Sequence, residues 1–294
     1  MAPSSPPRVS VICIFLNEER FLAEAVESVL AQDFANFELL LADDGSSDRS
    51  TEIAHGYAAQ DGRVRYLEHE GHANRGMSAT RNLGLAHAWG EYVGFIDADD
   101  RWRPGKLREQ AAILDARSEV GIVCGTVNYW SSWEGGEDGL VPTGRPSDGV
   151  SAPPATTLAL YPFGAAGAPC PSDVLVRRSV IDAVGGFEEQ FTGPLQMYED
   201  QAFFAKAYLA TKVFFSSRTW LDYRLHAASC VAEVKRAGGY AAVRGYFLDW
   251  FAGYIESRKV PGKEAVRRAI GKARWRLAHP TIARIERRLL RLFS

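Results

Sequence analysis

The stretch that most constrains this chain is Tyr92-Val93-Gly94-Phe95-Ile96-Asp97-Ala98-Asp99-Asp100, an apolar run that ends in three carboxylates. Tyr, Val, Phe and Ile suit a pleated, buried surface, and the run is too short for a helix, so it reads as a central strand. Open α/β sheets bind their ligands beyond the carboxyl ends of their strands. Three acids at that place would repel one another unless a cation neutralised them, and a hard divalent ion shared with phosphate oxygens is the usual solution in nucleotide-using enzymes. The plain alternative is that Asp99 or Asp100 caps a helix starting near Pro104.

Strands and helices alternate on both sides of this run. Val9-Ser10-Val11-Ile12-Cys13-Ile14-Phe15 is a first strand, and Leu22, Ala25, Val26, Val29 and Leu30 then recur at the spacing of one helical face. Residues 37–42 form a second strand that runs into Asp43-Asp44-Gly45-Ser46-Ser47-Asp48, acids and turn formers leading to a helix from Arg49. A third strand spans 64–68, helices span 76–89 and 104–117, and a further strand spans 121–128. This order predicts an α/β fold with a mostly parallel, doubly wound sheet covered on both faces by helices.

Four motifs in this order resemble the family 2 glycosyltransferases, which have the GT-A fold: Val9-Ser10-Val11-Ile12 with Asn17-Glu18-Glu19, the Asp43-to-Asp48 segment, Ala79-Thr80-Arg81-Asn82-Leu83-Gly84-Leu85, and Asp97-Ala98-Asp99-Asp100. Val176-Arg177-Arg178, Gly185-Gly186-Phe187, Glu199-Asp200 and Tyr223-Arg224-Leu225-His226 extend the likeness to about residue 230. The resemblance implies a GT-A catalytic domain over 9–235, with a nucleotide-binding half (9–128) and an acceptor-binding, base-carrying half (129–235). Residues 1–8 read as a disordered leader, and 236–294 as a helical, basic extension.

The resemblance also assigns roles. Asp97 and Asp99 match the Asp-x-Asp motif, in which the second acid holds Mn2+ or Mg2+ on the donor's diphosphate and the first, a further candidate ligand, lies near the ribose. Asp44 matches the acid that contacts the nucleotide base, and Arg81 an arginine that helps hold the nucleotide. Phe15, Asn17, Glu18 and Ala98 complete the implied nucleotide-sugar site. Asp200 matches the general base of an inverting displacement and would open a helix whose dipole favours its ionised form. His226 matches a histidine that completes the metal site. Ile14 and Leu16 depart from the polar residue and Tyr common in the first loop, which leaves the base contacts and the nucleotide open.

The stretch 131–171 is rich in Gly, Pro, Ser and Thr, begins beside Trp130 and Trp133, and is too long for an ordinary connection. Exposed indoles there would offer faces for a sugar ring and buried ones would simply join the core; Trp130 and Trp133, together with Glu199, are the acceptor-side candidates. Tyr240, Val243, Phe247, Trp250, Phe251 and Tyr254 fall on one helical face. Val266, Ile270, Ala273 and Leu277, then Ile285, Leu289, Leu292 and Phe293, continue the pattern. From Glu256 onward twelve Lys and Arg stand against three Glu, so a formal net charge of -2 conceals a basic end on an acidic body. That end suits peripheral contact with an anionic membrane, a dimer contact or simple docking.

Composition removes several classes. The four cysteines are far apart and match neither a zinc pattern nor a disulfide framework, which fits a reducing cytoplasm. No apolar run reaches transmembrane length, and an acidic body without a recognised motif argues against nucleic acid. Three readings stand. They are a metal-dependent inverting glycosyltransferase acting on a glycan or glycolipid acceptor, a nucleotidyltransferase that makes sugar nucleotides, and a non-catalytic sugar-nucleotide or membrane-binding module.

Overall fold

The computed structural model describes residues 6–144 and 147–282. Residues 1–5 of the expected leader lie outside them, and Arg8 already donates its N–H to Asn36 O at 3.1 Å. The first half alternates as the pattern predicts: β1 (Val9–Phe15), α1 (Leu22–Leu30), β2 (Phe37–Asp43), α2 (Ser50–Gln60), β3 (Val64–Glu68), α3 (Met77–His87) and β4 (Tyr92–Asp97). A short β5 (Arg101–Trp102) precedes α4 (Lys106–Ala116) and the long β6 (Val120–Trp130). Then come β7 (Gly139–Val141), β8 (Gly149–Ser151), α5 (Ala155–Ala159), β9 (Leu175–Arg177), α6 (Arg178–Val184), α7 (Glu199–Ala210) and β10 (Lys212–Arg224). The chain continues through α8 (Cys230–Arg236), α9 (Tyr240–Glu256) and α10 (Lys263–Ala278).

One sheet runs through the molecule in the order β3-β2-β1-β4-β9-β6-β10-β5. Strands β1 to β4 are parallel, with Ile14 beside both Ala42 and Asp97, so the ends of β2, β1 and β4 open at one edge. The second half is mixed. β9 runs antiparallel to both β4 and β6, because the chain turns at Pro171–Asp173 just past the end of β4 and runs back down beside it. The parallel pair β6 and β10 is flanked by antiparallel β5, β7 and β8. The sheet is thus parallel where the motifs lie and mixed beyond them.

Every residue of β1 and β2 is buried, as expected of strands covered on both faces. Val11, Cys13, Leu39 and Leu41 pack with α1 and α4 on one side, while Ile12, Ile14, Leu40 and Ala42 join a core with α6 and α7 on the other. Gly84 lets α3 sit close on β1, since a Cβ there would stand 2.5 Å from Ile12 Cγ2. All four cysteines are free.

The C-terminal helices have a core of their own. Val243, Phe247, Phe251 and Ile255 of α9 and Val266, Ile270 and Ala273 of α10 pack with Ala202, Ala205 and Leu209 of α7. Of the three uses open to the basic end, docking is what residues 240–278 do; Ile285, Leu289, Leu292 and Phe293 lie outside the described residues. No described helix is long and apolar enough to cross a membrane. Ile270 is 2% exposed, so Ile270→Ala should cost about 2–5 kcal/mol, read as a lower denaturant midpoint at unchanged slope. A midpoint equal to wild type would mean that α10 is only loosely attached.

Candidate active site

A cleft of about 730 Å³ opens at the carboxyl edge of β1, β2 and β4. Phe15 and Glu18 come to it from the end of β1, Asp44 from β2, Arg81 from α3, and Asp97, Ala98 and Asp99 from β4. Glu199 and Asp200 come to it from the start of α7, Tyr223 from the end of β10, and His226 from just beyond that strand. Thus segments spread over more than two hundred residues meet in one cavity, as the motifs implied.

The three acids after β4 divide their work. Asp97 accepts a hydrogen bond from Arg81 Nη2 through Oδ1. Asp99 turns to His226, with Oδ2 2.8 Å from Nε2, and its carboxylate raises the imidazole pKa. Asp100 points inward, 1% exposed, and accepts from Arg224 N at 3.0 Å. Burial pushes its pKa well up, and Arg224 Nε donates to Asp99 O at 2.7 Å. Asp100 therefore latches the end of β10 onto the turn, which is how His226 comes to face Asp99.

Asp99 and His226 present one carboxylate oxygen and one imidazole nitrogen at the same spot. Among the described residues no group of three or more His, Cys, Asp or Glu converges on a metal-binding position. Two protein ligands suit a cation that takes its other ligands from a diphosphate and water, as Mg2+ and Mn2+ do. The pair fits such an ion. Asp97, the further candidate ligand, has one oxygen committed to Arg81 instead.

On the donor side, Asp44 is buried and accepts from Arg75 N (2.7 Å), Gly76 N and Thr80 Oγ1 (2.9 Å), which ties the end of β2 to the start of α3. Glu18 is pushed up to about 7 by burial, with Asp99 the next cause, and His226 opposes the shift. Asn17 does not line the cleft. With φ at 57°, its Oδ1 accepts from Ser47 N at 2.7 Å, so it braces the loop after β1 against the loop after β2. Arg81 lines the cleft but is only 1% exposed, with Nη1 on Glu199 Oε1 and Nη2 on Asp97 Oδ1, so it joins two carboxylates.

Of the acceptor-side candidates, the two indoles end up elsewhere, while Glu199 lines the cleft. Trp130 is 9% exposed and two guanidinium groups lie over its ring, Arg101 at 3.9 Å and Arg224 at 4.3 Å from the centroid. Trp133 packs edge-on against Phe21, with Arg224 at 4.8 Å and its Nε1 donating to Leu225 O at 3.2 Å. Neither indole lines the cleft, because the arginines clustered around the β10 end use the rings as cation–π platforms. Glu199 is 2% exposed and belongs to Arg81; burial pushes its pKa up to about 8 against the pull of that guanidinium. Of the described residues in the stretch 131–171, only Cys170 and Pro171 reach the cavity.

The wall that sequence reasoning missed is made by residues 193–197 and by α8, including Met197, Cys230, Val231 and Val234. A signal was present: Ser229 before a short apolar run is a helix start, and its Oγ accepts from Ala232 N at 3.3 Å. The expected boundary at 235 falls one residue before the end of this helix. Asp200 stands at the head of the same wall, its pKa pushed up to about 6, first by burial, while its own neighbour Gln201 N donates to Oδ1 at 2.6 Å.

Comparison with known proteins places this geometry. The sequence pattern described as glycosyl transferase family 2 matches residues 10–185, more than half of the chain. The putative glycosyltransferase EpsE of Bacillus subtilis is 39% identical over 121 residues, covering 41% of this chain and 43% of EpsE. The putative glycosyltransferase EpsH of the same organism is 28% identical over 236 residues, covering 78% of this chain and 64% of EpsH. This chain therefore spans less than two thirds of either relative. Among solved structures, S. aureus TarS 1-349 in complex with UDP-GlcNAc superposes with a TM-score of 0.68 at 20% identity, over 90% of this chain and 71% of that one. The mannosyltransferase PcManGT from Pyrobaculum calidifontis, in complex with GDP-Man and Mn2+, gives 0.62 at 20% identity, over 96% and 76%. Those likenesses carry the fold, a curled α/β sheet of GT-A type, and the match over residues 10–185 carries the family: the chain belongs to glycosyl transferase family 2.

Proposed function

We propose that the protein is a metal-dependent, inverting glycosyltransferase that moves a sugar from a nucleotide-sugar donor to a hydroxyl of a glycan or glycolipid acceptor. The observation that carries the reading is the convergence of two sets on one cleft: Asp99 paired with His226 from the ends of β4 and β10, and Asp200 from the start of α7. In inversion the acceptor oxygen bonds to the anomeric carbon from the face opposite the leaving group. The anomeric C–O bond breaks, and its electron pair leaves with the diphosphate. Asp200 takes the acceptor's hydroxyl proton. Asp99 and His226 would hold Mn2+ or Mg2+, which supplies charge neutralisation for the departing diphosphate. Asp44, Phe15 and Ala98 line the donor end, and Met197, Val231 and Val234 give the acceptor end an apolar wall.

A sugar nucleotidyltransferase finds no support in the family, and a purely binding module leaves a buried carboxylate with a pKa of about 6 at the cleft unexplained. The test is release of nucleoside diphosphate from a panel including UDP-GlcNAc and GDP-mannose, with Mn2+ present. One donor should be consumed, and EDTA should abolish its turnover. The base works as carboxylate, and burial holds its pKa above the ordinary value. Turnover should therefore fall about tenfold per unit as pH drops below about 6 and level off above it. A rate flat from pH 4.5 to 8 would remove Asp200 from that role.

A further inference from the structure

Arg81 is one of the largest fully buried side chains among the described residues, and it lines the cleft. Its two terminal nitrogens reach carboxylates of different halves: Asp97 at the end of β4 and Glu199 at the start of α7. The helix that carries it has little freedom. Gly84 fixes α3 against Ile12 of β1, and the helix start is held by Asp44 through Gly76 N and by Gln196 Oε1, which accepts from Met77 N at 2.7 Å. The guanidinium lies 5.5 Å from the Phe187 ring centroid. Asp200 follows Glu199 directly, so whatever fixes Glu199 fixes the backbone of the base. α7 is not part of the sheet, and the sheet alone does not set the distance between Asp200 and the Asp97–Asp99 turn.

We infer that Arg81 and Glu199 are positioning residues, a buried strut that ties the donor-side turn to the base-carrying helix and holds Asp200 at working distance. This rests on Asp200 being the base. A planar guanidinium suits the task because it can bind two carboxylates in fixed directions, which an ammonium cannot. The strut also explains why the acid preceding Asp200 lies buried against an arginine instead of facing the acceptor. Small displacements of a reacting group are costly, and one of about 1 Å can lower a rate by 10²-fold.

The test uses the donor that the wild type hydrolyses, with water as the acceptor, and measures turnover, nucleoside diphosphate affinity with Mn2+, and thermal midpoint for three variants. Glu199→Gln keeps an oxygen for Arg81 and removes the charge. Arg81→Met/Glu199→Met replaces the pair with apolar side chains of similar volume but leaves Asp97 without its guanidinium, so the thermal midpoint separates loss of the strut from loss of the fold. Asp200→Asn is the reference for the base. Both strut variants should lose roughly tenfold or more in turnover while nucleotide affinity stays within about threefold, and each is assayed below its thermal midpoint. Wild-type turnover in the double variant beside an inactive Asp200→Asn overturns the strut alone. Nucleotide affinity that falls as far as turnover in Glu199→Gln also overturns it, and makes the pair part of the donor site. Should the double variant fail to fold, Glu199→Gln decides by the same criteria. Full activity in Asp200→Asn brings down the base and the strut together.

Discussion

Asp200→Asn should lower turnover by roughly 10²-fold or more and leave nucleotide and metal affinity nearly unchanged. The substitution keeps the shape of the side chain, and the amide oxygen can still accept from Gln201 N as the carboxylate does at 2.6 Å. What it removes is the ability to take a proton at neutral pH. Because the carboxylate reaches into the cleft from α7 rather than from the Asp97–Asp99 turn, the donor end is untouched and binding should separate from chemistry. Stability is informative as well. A buried carboxylate with a pKa raised from 3.8 to about 6 costs stability above that value, so the neutral amide should melt at or above wild type near pH 7. A variant that loses activity only in step with its melting point would point to misfolding instead of a missing base.

Asp99→Ala should remove the Mn2+-dependent part of nucleotide binding altogether. Its side chain is 23% exposed and makes its side-chain contact with His226, so its loss opens no core cavity and the fold should survive. Asp100→Ala is the contrasting control. Asp100 faces inward and holds Arg224 N, and removing it frees the end of β10, so the melting point should fall and His226 should be held less firmly, while Asp99 keeps a weakened metal dependence in whatever remains folded. Equal nucleotide affinity in wild type and Asp99→Ala would refute the metal assignment. Loss of metal dependence in Asp100→Ala with an unchanged melting point would show that the roles of the two acids are reversed.

The first half of the fold could be read from the chain because its strands are short apolar runs that end in turn formers or acids, each followed by one helical face. β1 to β4 and the helices between them lie within a few residues of where that pattern puts them. Reading failed where tertiary contacts decide. β9 is three residues long, and nothing in Leu175-Val176-Arg177 says that it will run antiparallel between two longer strands. Trp130 and Trp133 were legible as aromatic residues beside a long loop, but not as platforms for Arg101 and Arg224, whose own positions depend on β10 returning beside β6.

The site divides in the same way. Asp97, Asp99, Asp200 and His226 carry chemistry in their spacing and motif, and the structure brings them to one cleft. Which partner each takes is a matter of approach between distant segments. Arg81 and Glu199 are 118 positions apart in sequence and meet only because α3 and α7 stand on the same side of the sheet. The opposite wall went unread because α8 lies past the last recognisable motif, where the pattern looks like an ordinary short helix.

Donor binding through a metal at Asp99 is the central claim. The most direct measurement is a thermal-shift titration of the wild-type protein with UDP, GDP, ADP, CDP and dTDP, each with and without Mn2+. One nucleoside diphosphate should raise the midpoint in proportion to the logarithm of its concentration, only when Mn2+ is present, and the shift should vanish in Asp99→Ala. A flat response to all five in the presence of Mn2+, or a shift of equal size in Asp99→Ala, would contradict it.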